Sequence, residues 1–347
     1  MTADAAPAGL YFHPAWLEWK EAGGWRSADS GLGFPLLVRD LPEGGTMAHC
    51  VFPPPPPGLR EEGVQELGAA LERLSQRMLA QLPGDCAFIR WDVMLEAWSG
   101  GQGAALDPRL QELRMNASTR WRRLRKAPAE SSCACTMLVE LDAPERLRSR
   151  LAARARHALG LADRRGTAVR RGGEEELEAF QALHEETAAR HGLEARPASA
   201  FRGLFSAARA HGLALDLYLA ESGGEAAAAA IIARHREEAW YLFAASSKER
   251  RSAAGPSAIL YRAMVDCAAS GARRMDLLGA APPGEPSHPL AGVTLFKEGF
   301  GGRRLTRAGA WDLVLRPNIY ARHARGEAFR EARGAARGAA APVPGPL

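Results

Sequence analysis

Apolar residues recur three or four positions apart between Glu61 and Leu82, at Val64, Leu67, Leu71, Leu74, Met78 and Leu82. That spacing predicts one amphipathic helix, stopped by Pro83-Gly84. Before it, Pro14 to Lys20 reads as a short helix with Pro14 in its first turn. Phe34–Val38 and Thr46–Phe52 read as strands joined by the turn Pro42-Glu43-Gly44-Gly45. Pro53 to Pro57 predicts an extended connector. Ala87–Asp92 follows as a strand, Trp98–Pro108 as a loop, and Thr136–Leu141 as the strand that closes the first half.

The second half begins with a basic helix, Glu145 to Arg165, and then Glu174 to His191 with Leu177, Phe180, Leu183 and Thr187 on one face. Strands follow at Asp216–Ala220, Ala226–Arg234 and Ala239–Ala244, the first two around the turn Ser222-Gly223-Gly224-Glu225. A helix over Ser257–Ala269 and a strand over Arg274–Leu278 complete the order. Helices mixed with short strands in this way predict an α/β (α+β) fold. Trp311–Leu315 reads as a last strand, and an Arg/Ala/Gly tail follows Tyr320, helical at first and then disordered.

With 347 residues, of which 46% are hydrophobic, the chain is long enough for two cores. Its net charge of +5 is mild but uneven. From Glu145 to Arg171 the only acids are Glu145 and Asp163, against nine arginines. That asymmetry points either to an anionic partner or to a solvated basic face. A second cluster, Arg120-Trp121-Arg122-Arg123-Leu124-Arg125-Lys126, offers the same two readings. Five cysteines without a CxxC pair fit a reducing compartment, and no basic-then-apolar leader opens the chain. The longest apolar run, Ala226 to Ala233, is too short to span a bilayer. A cytoplasmic protein is expected, with peripheral contact at the inner face of the membrane left open.

The densest chemistry lies in His288-Pro289-Leu290-Ala291-Gly292-Val293-Thr294-Leu295-Phe296-Lys297-Glu298-Gly299-Phe300-Gly301-Gly302. Phe296 and Phe300 stand four apart and can share one face of a turn or short helix. Between them Lys297 is a compact cation suited to an anionic substrate or an oxyanion. The four glycines are expected to give backbone freedom and room for a substrate. A solvated lysine in a glycine-rich loop is the plainer reading.

This stretch, preceded by Met275-Asp276-Leu277-Leu278-Gly279, resembles the end of the Fem family (FemABX-type aminoacyltransferases). There a YDFxG-like strand end precedes an HPxxGxxxFKxGFGG run. The helix–helix–three strands–helix–strand order likewise resembles an acetyltransferase-like (GNAT) domain, and the family is similar to two such domains in tandem, each a mostly antiparallel mixed sheet flanked by helices. The resemblance implies a first domain over 1–142 completed by about 303–325, a second over 143–302, and a tail over 326–347. It implies Lys297 as the oxyanion-stabilising residue with Phe296 beside it at the substrate. Lys20, in Trp16-x-x-x-Lys20-x-x-x-x-Trp25, is implied to hold a diphosphate, and Asp92, at a strand end, to face the acceptor. Either could instead be structural, Lys20 as an exposed helix residue and Asp92 as a cap. Arg156, in a helix similar to RYNIRLAEKKG, Arg196 beyond Glu185-Glu186-Thr187-Ala188, and Tyr241, in a strand similar to YYLYGASS, are further substrate-binding candidates. Ala158, Gly160, Ala200 and Phe243 stand where the pattern has polar groups.

The reaction so implied moves an amino acid from aminoacyl-tRNA, as donor substrate with no separate cofactor, to an amine of a peptidoglycan precursor, lipid II or UDP-MurNAc-peptide. The alternatives are a GNAT-like N-acyltransferase for a small molecule and a Fem-like protein that binds without catalysis. Against acyl-CoA stands Lys248 to Ser257: it holds one glycine, and Pro256 removes an N–H donor where a phosphate-cradling helix would begin.

Overall fold

The computed structural model describes residues 9–53, 67–99 and 108–336. Five strands come first: β1 (Arg26–Asp29), β2 (Pro35–Asp40), β3 (Thr46–Cys50), β4 (Cys86–Ser99) and β5 (Leu124–Lys126). Six follow: β6 (Cys135–Glu140), β7 (Ala168–Gly172), β8 (Ala214–Ser222), β9 (Glu225–His235), β10 (Glu238–Ser246) and β11 (Arg274–Gly279). The last, β12, spans Arg303–Val314. The helices are α1 (Pro14–Ala22), α2 (Leu67–Met78), α3 (Pro108–Asn116), α4 (Pro144–Arg150), α5 (Ala153–Arg164), α6 (Leu177–Arg190), α7 (Ala198–His211), α8 (Gly255–Ala269), α9 (Ala291–Glu298) and α10 (Pro317–Ala336). The polyproline connector, residues 61–66 of the first long helix, residues 100–107 and the end of the tail lie outside the described residues.

The chain forms two compact units. The first joins residues up to Ala134 with Thr306–Ala336. Its strands run in the order β1-β2-β3-β4-β12, with β5 on the far part of β12. β2 and β3 are antiparallel, β3 and β4 parallel. One face packs Leu36, Val38, Ile89, Trp91 and Trp311 under α2, where Leu67 and Leu71 supply the apolar stripe the spacing required. On the other, Trp25, Met47 and Phe88 pack with Tyr320 of α10.

The second unit, Cys135 to Leu305, orders its strands β6-β11-β10-β9-β8-β7. β8, β9 and β10 are antiparallel, and β11 returns parallel to β10 after the crossover helix α8. Its core gathers Met137, Tyr218, Ile232, Ile259, Met264 and Met275. Small residues dominate β9, Ala226 to Ala230, so α8 sits close: a Cβ on Gly255 would lie 2.9 Å from that of Ala228.

Several expectations need correction. The strand expected over Thr136–Leu141 to close the first domain is β6, Cys135–Glu140, and its antiparallel pairing with β11 places it in the second unit. The single basic helix is two, α4 and α5, broken at Leu151-Ala152, where the Ala152 N–H bonds the Gly299 carbonyl at 2.9 Å. β4 runs on to Ser99, through residues read as loop. Of the two readings of the glycine-rich stretch, a turn or a short helix, the chain takes the helix, α9, and β12 begins at Arg303, eight residues before the expected strand.

Candidate active site

Helix α9 buries its lysine and turns an apolar residue outward. Lys297 is 6% exposed, whereas Leu295 is 53% exposed. Nζ donates to the main-chain carbonyls of Leu278, at 2.9 Å, and Gly279, at 2.5 Å, both at the end of β11. Two of the three donors of an ammonium are thus aimed by backbone, which excludes the solvated-lysine reading. Phe296 and Phe300 meet at 5.2 Å between ring centroids, Phe300 within the core and Phe296 half-buried against it. Two of the glycines serve packing. A Cβ on Gly302 would strike Met137, 2.3 Å from its Cγ, and one on Gly299 would press on Arg154 and Ala155. Of the four, Gly301 alone uses the left-handed region, with φ +81°. Room for a substrate is therefore not what Gly299 and Gly302 provide.

The remaining candidates of the second unit are spread out. Arg156 is exposed on α5 and donates to the carbonyl of Leu151, closing the helix break. Arg196 is half-buried beyond α6; its N–H bonds His184 Nε2 at 3.1 Å, and burial lowers its pKa. Tyr241 lies in the core on β10, and burial raises its phenol pKa, so it stays protonated.

In the first unit Lys20 and Asp92 belong to one chain of contacts. Lys20, 5% exposed on α1, places Nζ 5.1 Å from the Trp25 ring centroid, which excludes an exposed helix residue. Arg39 lies over the same indole at 4.6 Å. Trp25 neighbours the His49 ring at 5.8 Å, and His49 Nε2 is 2.8 Å from Asp92 Oδ2. The Ser132 hydroxyl donates to that same oxygen at 2.5 Å. Asp92 is 2% exposed and sits within β4, so it caps no helix. Burial pushes its carboxyl pKa up, but His49, the two hydrogen bonds and Arg90 outweigh this and hold it below the ordinary carboxylate range. His49 and Ser132 escaped sequence reasoning. The available signal was a histidine at an inward position two residues from Met47 in a wholly buried strand.

Acids outside the basic segment meet several of its arginines. Arg146 and Arg150 pair with Asp142, Arg154 approaches Glu298 at 3.9 Å, Arg170 pairs with Glu176 and Glu221, and Arg171 with Asp216. Trp121 is buried, with Arg120 over its ring at 4.8 Å, so its indole is no open stacking platform. At the start of α8 the lone glycine, Gly255, is taken up by packing on Ala228, and Pro256 occupies the first turn. A pyrophosphate cradle of backbone donors is poorly served there. Among the described residues there is no cluster of three or more metal-ligating side chains, and no helix is long and apolar enough to cross a membrane.

Residues 145–285 match the acetyltransferase (GNAT) domain family. No curated protein matches the chain by sequence. Among solved structures, that of FemX superposes with a TM-score of 0.68 at 18% identity, over 92% of this chain and 96% of that one. The fold is FemABX-type. The C-terminal domain of a putative lysylphosphatidylglycerol synthetase from Agrobacterium fabrum is also similar, with a TM-score of 0.50 and 12% identity over 93% of this chain and 92% of that one. A conserved protein of unknown function from Bacteroides thetaiotaomicron gives 0.50 at 10% identity, over 91% and 94%. The residues that match the acetyltransferase (GNAT) domain family lie within the second unit.

Proposed function

We propose that the protein is an aminoacyltransferase that moves an amino acid from aminoacyl-tRNA to an amine of a peptidoglycan precursor peptide, lipid II or UDP-MurNAc-peptide. The observation that carries this reading is the ammonium of Lys297, buried and held by two backbone carbonyls. Ester aminolysis concentrates negative charge on the former carbonyl oxygen. A fixed cation in a shielded site stabilises that oxygen more in the transition state than in the ester. The attacking amine must be neutral and must shed a proton after attack. The departing ribose oxygen of the tRNA takes up that proton. Within the first unit, Asp92, kept ionised beside His49 and Ser132, suits a cationic group of the precursor. Lys20, backed by Trp25, suits the precursor's diphosphate. The FemABX-type fold and the poor phosphate cradle at Gly255-Pro256 favour tRNA over acyl-CoA as donor.

The test supplies purified protein with charged tRNA and a nucleotide- or lipid-linked muropeptide. Aminoacyl transfer should appear and should stop when ribonuclease is added first. Transfer that survives ribonuclease and requires acyl-CoA instead overturns the proposal and makes the protein a small-molecule-type N-acyltransferase.

A further inference from the structure

The two carbonyls that hold Lys297 are delivered by an unusual piece of backbone. Pairing of β11 with β6 is regular at Arg274, Met275 and Asp276, then shifts before Gly279. Within the shift Leu278 adopts φ +57°, a left-handed conformation that crowds the Cβ of any residue but glycine. Something must hold it there. The Leu278 N–H donates to Asp276 Oδ1 at 2.8 Å, and the Thr136 hydroxyl donates to the same oxygen. Beyond the turn the Ala280 N–H bonds the Cys135 carbonyl at 2.9 Å. The Ala281 N–H bonds Thr294 Oγ1 at 2.7 Å, on the helix that carries Lys297. The turn is therefore tied to β6 on one side and to α9 on the other.

We infer that Asp276 is a positioning residue for Lys297: its carboxylate holds Leu278 left-handed and so aims the Leu278 and Gly279 carbonyls at the ammonium. Two fixed N–H bonds and a fixed Cε bond set where the ammonium sits. That position matters for a charge that stabilises an oxyanion, since a displacement of about 1 Å costs on the order of 100-fold in rate. The inference rests on the role given to Lys297 above, and the closing experiment separates the two.

Three variants decide it. Asp276→Ala should lower kcat by about 100-fold with little change in the KM for the precursor. Asp276→Asn keeps an oxygen to accept the Leu278 N–H and should stay within about tenfold of the parent. Asp276→Ala/Leu278→Gly should regain at least tenfold over Asp276→Ala, because glycine adopts this φ without a pin. A role for Asp276 other than holding Leu278 left-handed would not be rescued by glycine at position 278. An Asp276→Ala protein with parental kcat, or a folded double variant no better than Asp276→Ala, overturns the inference. Crystal structures of the same variants decide it even if the parent transfers no amino acid. Lys297 Nζ should leave both carbonyls in Asp276→Ala and return in the double variant. Nζ still seated on both carbonyls in Asp276→Ala overturns the positioning role, whatever the reaction proves to be.

Discussion

Lys297 has two obligations, to the fold and to the proposed chemistry, and substitution separates them. Lys297→Met removes the cation and leaves two buried carbonyls without their donor. Loss of an oxyanion donor costs about 3–4 kcal/mol, or roughly 100- to 1000-fold in turnover. The vacated carbonyls cost about 1–3 kcal/mol of stability. Steady-state kinetics and a urea melt on the same variant should show both, with the precursor KM nearly unchanged. Lys297→Arg should rescue little, because a planar fork does not replace a compact ammonium between two carbonyls. Parental turnover in Lys297→Met would make the lysine purely structural. At this scale the sequence was legible where chemistry is dense: a lysine between Phe296 and Phe300 amid glycines stood out. It was illegible where chemistry depends on pairing across distant strands. His49 and Asp92 are 43 residues apart, and only the parallel register of β3 on β4 brings them to 2.8 Å. Leu278 carries no mark of its left-handed φ, because leucine is among the last residues one would place there.

Helix α10 is held to β4 by charge as well as by apolar contact. Arg90, 1% exposed, donates to Asp312 with Nε and Nη2 at 2.7 and 2.8 Å and to Glu327 with both terminal nitrogens at 2.7 Å. Burial raises the Glu327 pKa, but the bonds from Arg90 and its charge, with His323 nearby at 3.7 Å, reverse this and bring it down to about 2. A folded pKa below the unfolded value means stability that is whole above about pH 4.5 and is lost as the pH falls toward 2. The shift corresponds to about 3 kcal/mol. Urea melts of the parent and Glu327→Gln should therefore differ most at neutral pH and converge between about pH 4.5 and 2. A difference that stays constant through that window would remove Glu327 from the account. The elements themselves were legible in proportion to their periodicity. α8 and β8 to β10 follow from apolar runs, whereas β1 (Arg-Ser-Ala-Asp) and β7 (Ala-Val-Arg-Arg-Gly) have largely exposed side chains and no alternation to read. The break between α4 and α5 contains no glycine or proline. A tertiary bond from Ala152 to Gly299 fixes it, so local propensity gave no sign of it.

The two units differ in how the chain builds them. Residues 135–305 are continuous and carry their own core around Met137, Ile232, Ile259 and Met275. The first unit is discontinuous: Ala308, Trp311 and Leu313 complete one of its cores, and Val314 and Tyr320 the other. Asp312 and Glu327 also come from the returning segment. A fragment ending at Ala134 would keep Arg90 in β4 and lose both of its acids. Stranding a buried charge costs about 3–5 kcal/mol, and the missing apolar side chains add more, against a typical domain stability of about 5–15 kcal/mol. The 1–134 fragment should therefore be unfolded by circular dichroism and amide dispersion, while 135–305 should melt cooperatively. Adding a 306–336 peptide to 1–134 should restore folding, because it returns β12, Asp312 and α10 together. An Asp312→Asn peptide should do so much less well, since it leaves Arg90 short of its most buried partner. A 1–134 fragment that folds alone with a cooperative transition would show that Arg90 finds other partners, and the return segment would then be a brace added to a finished domain.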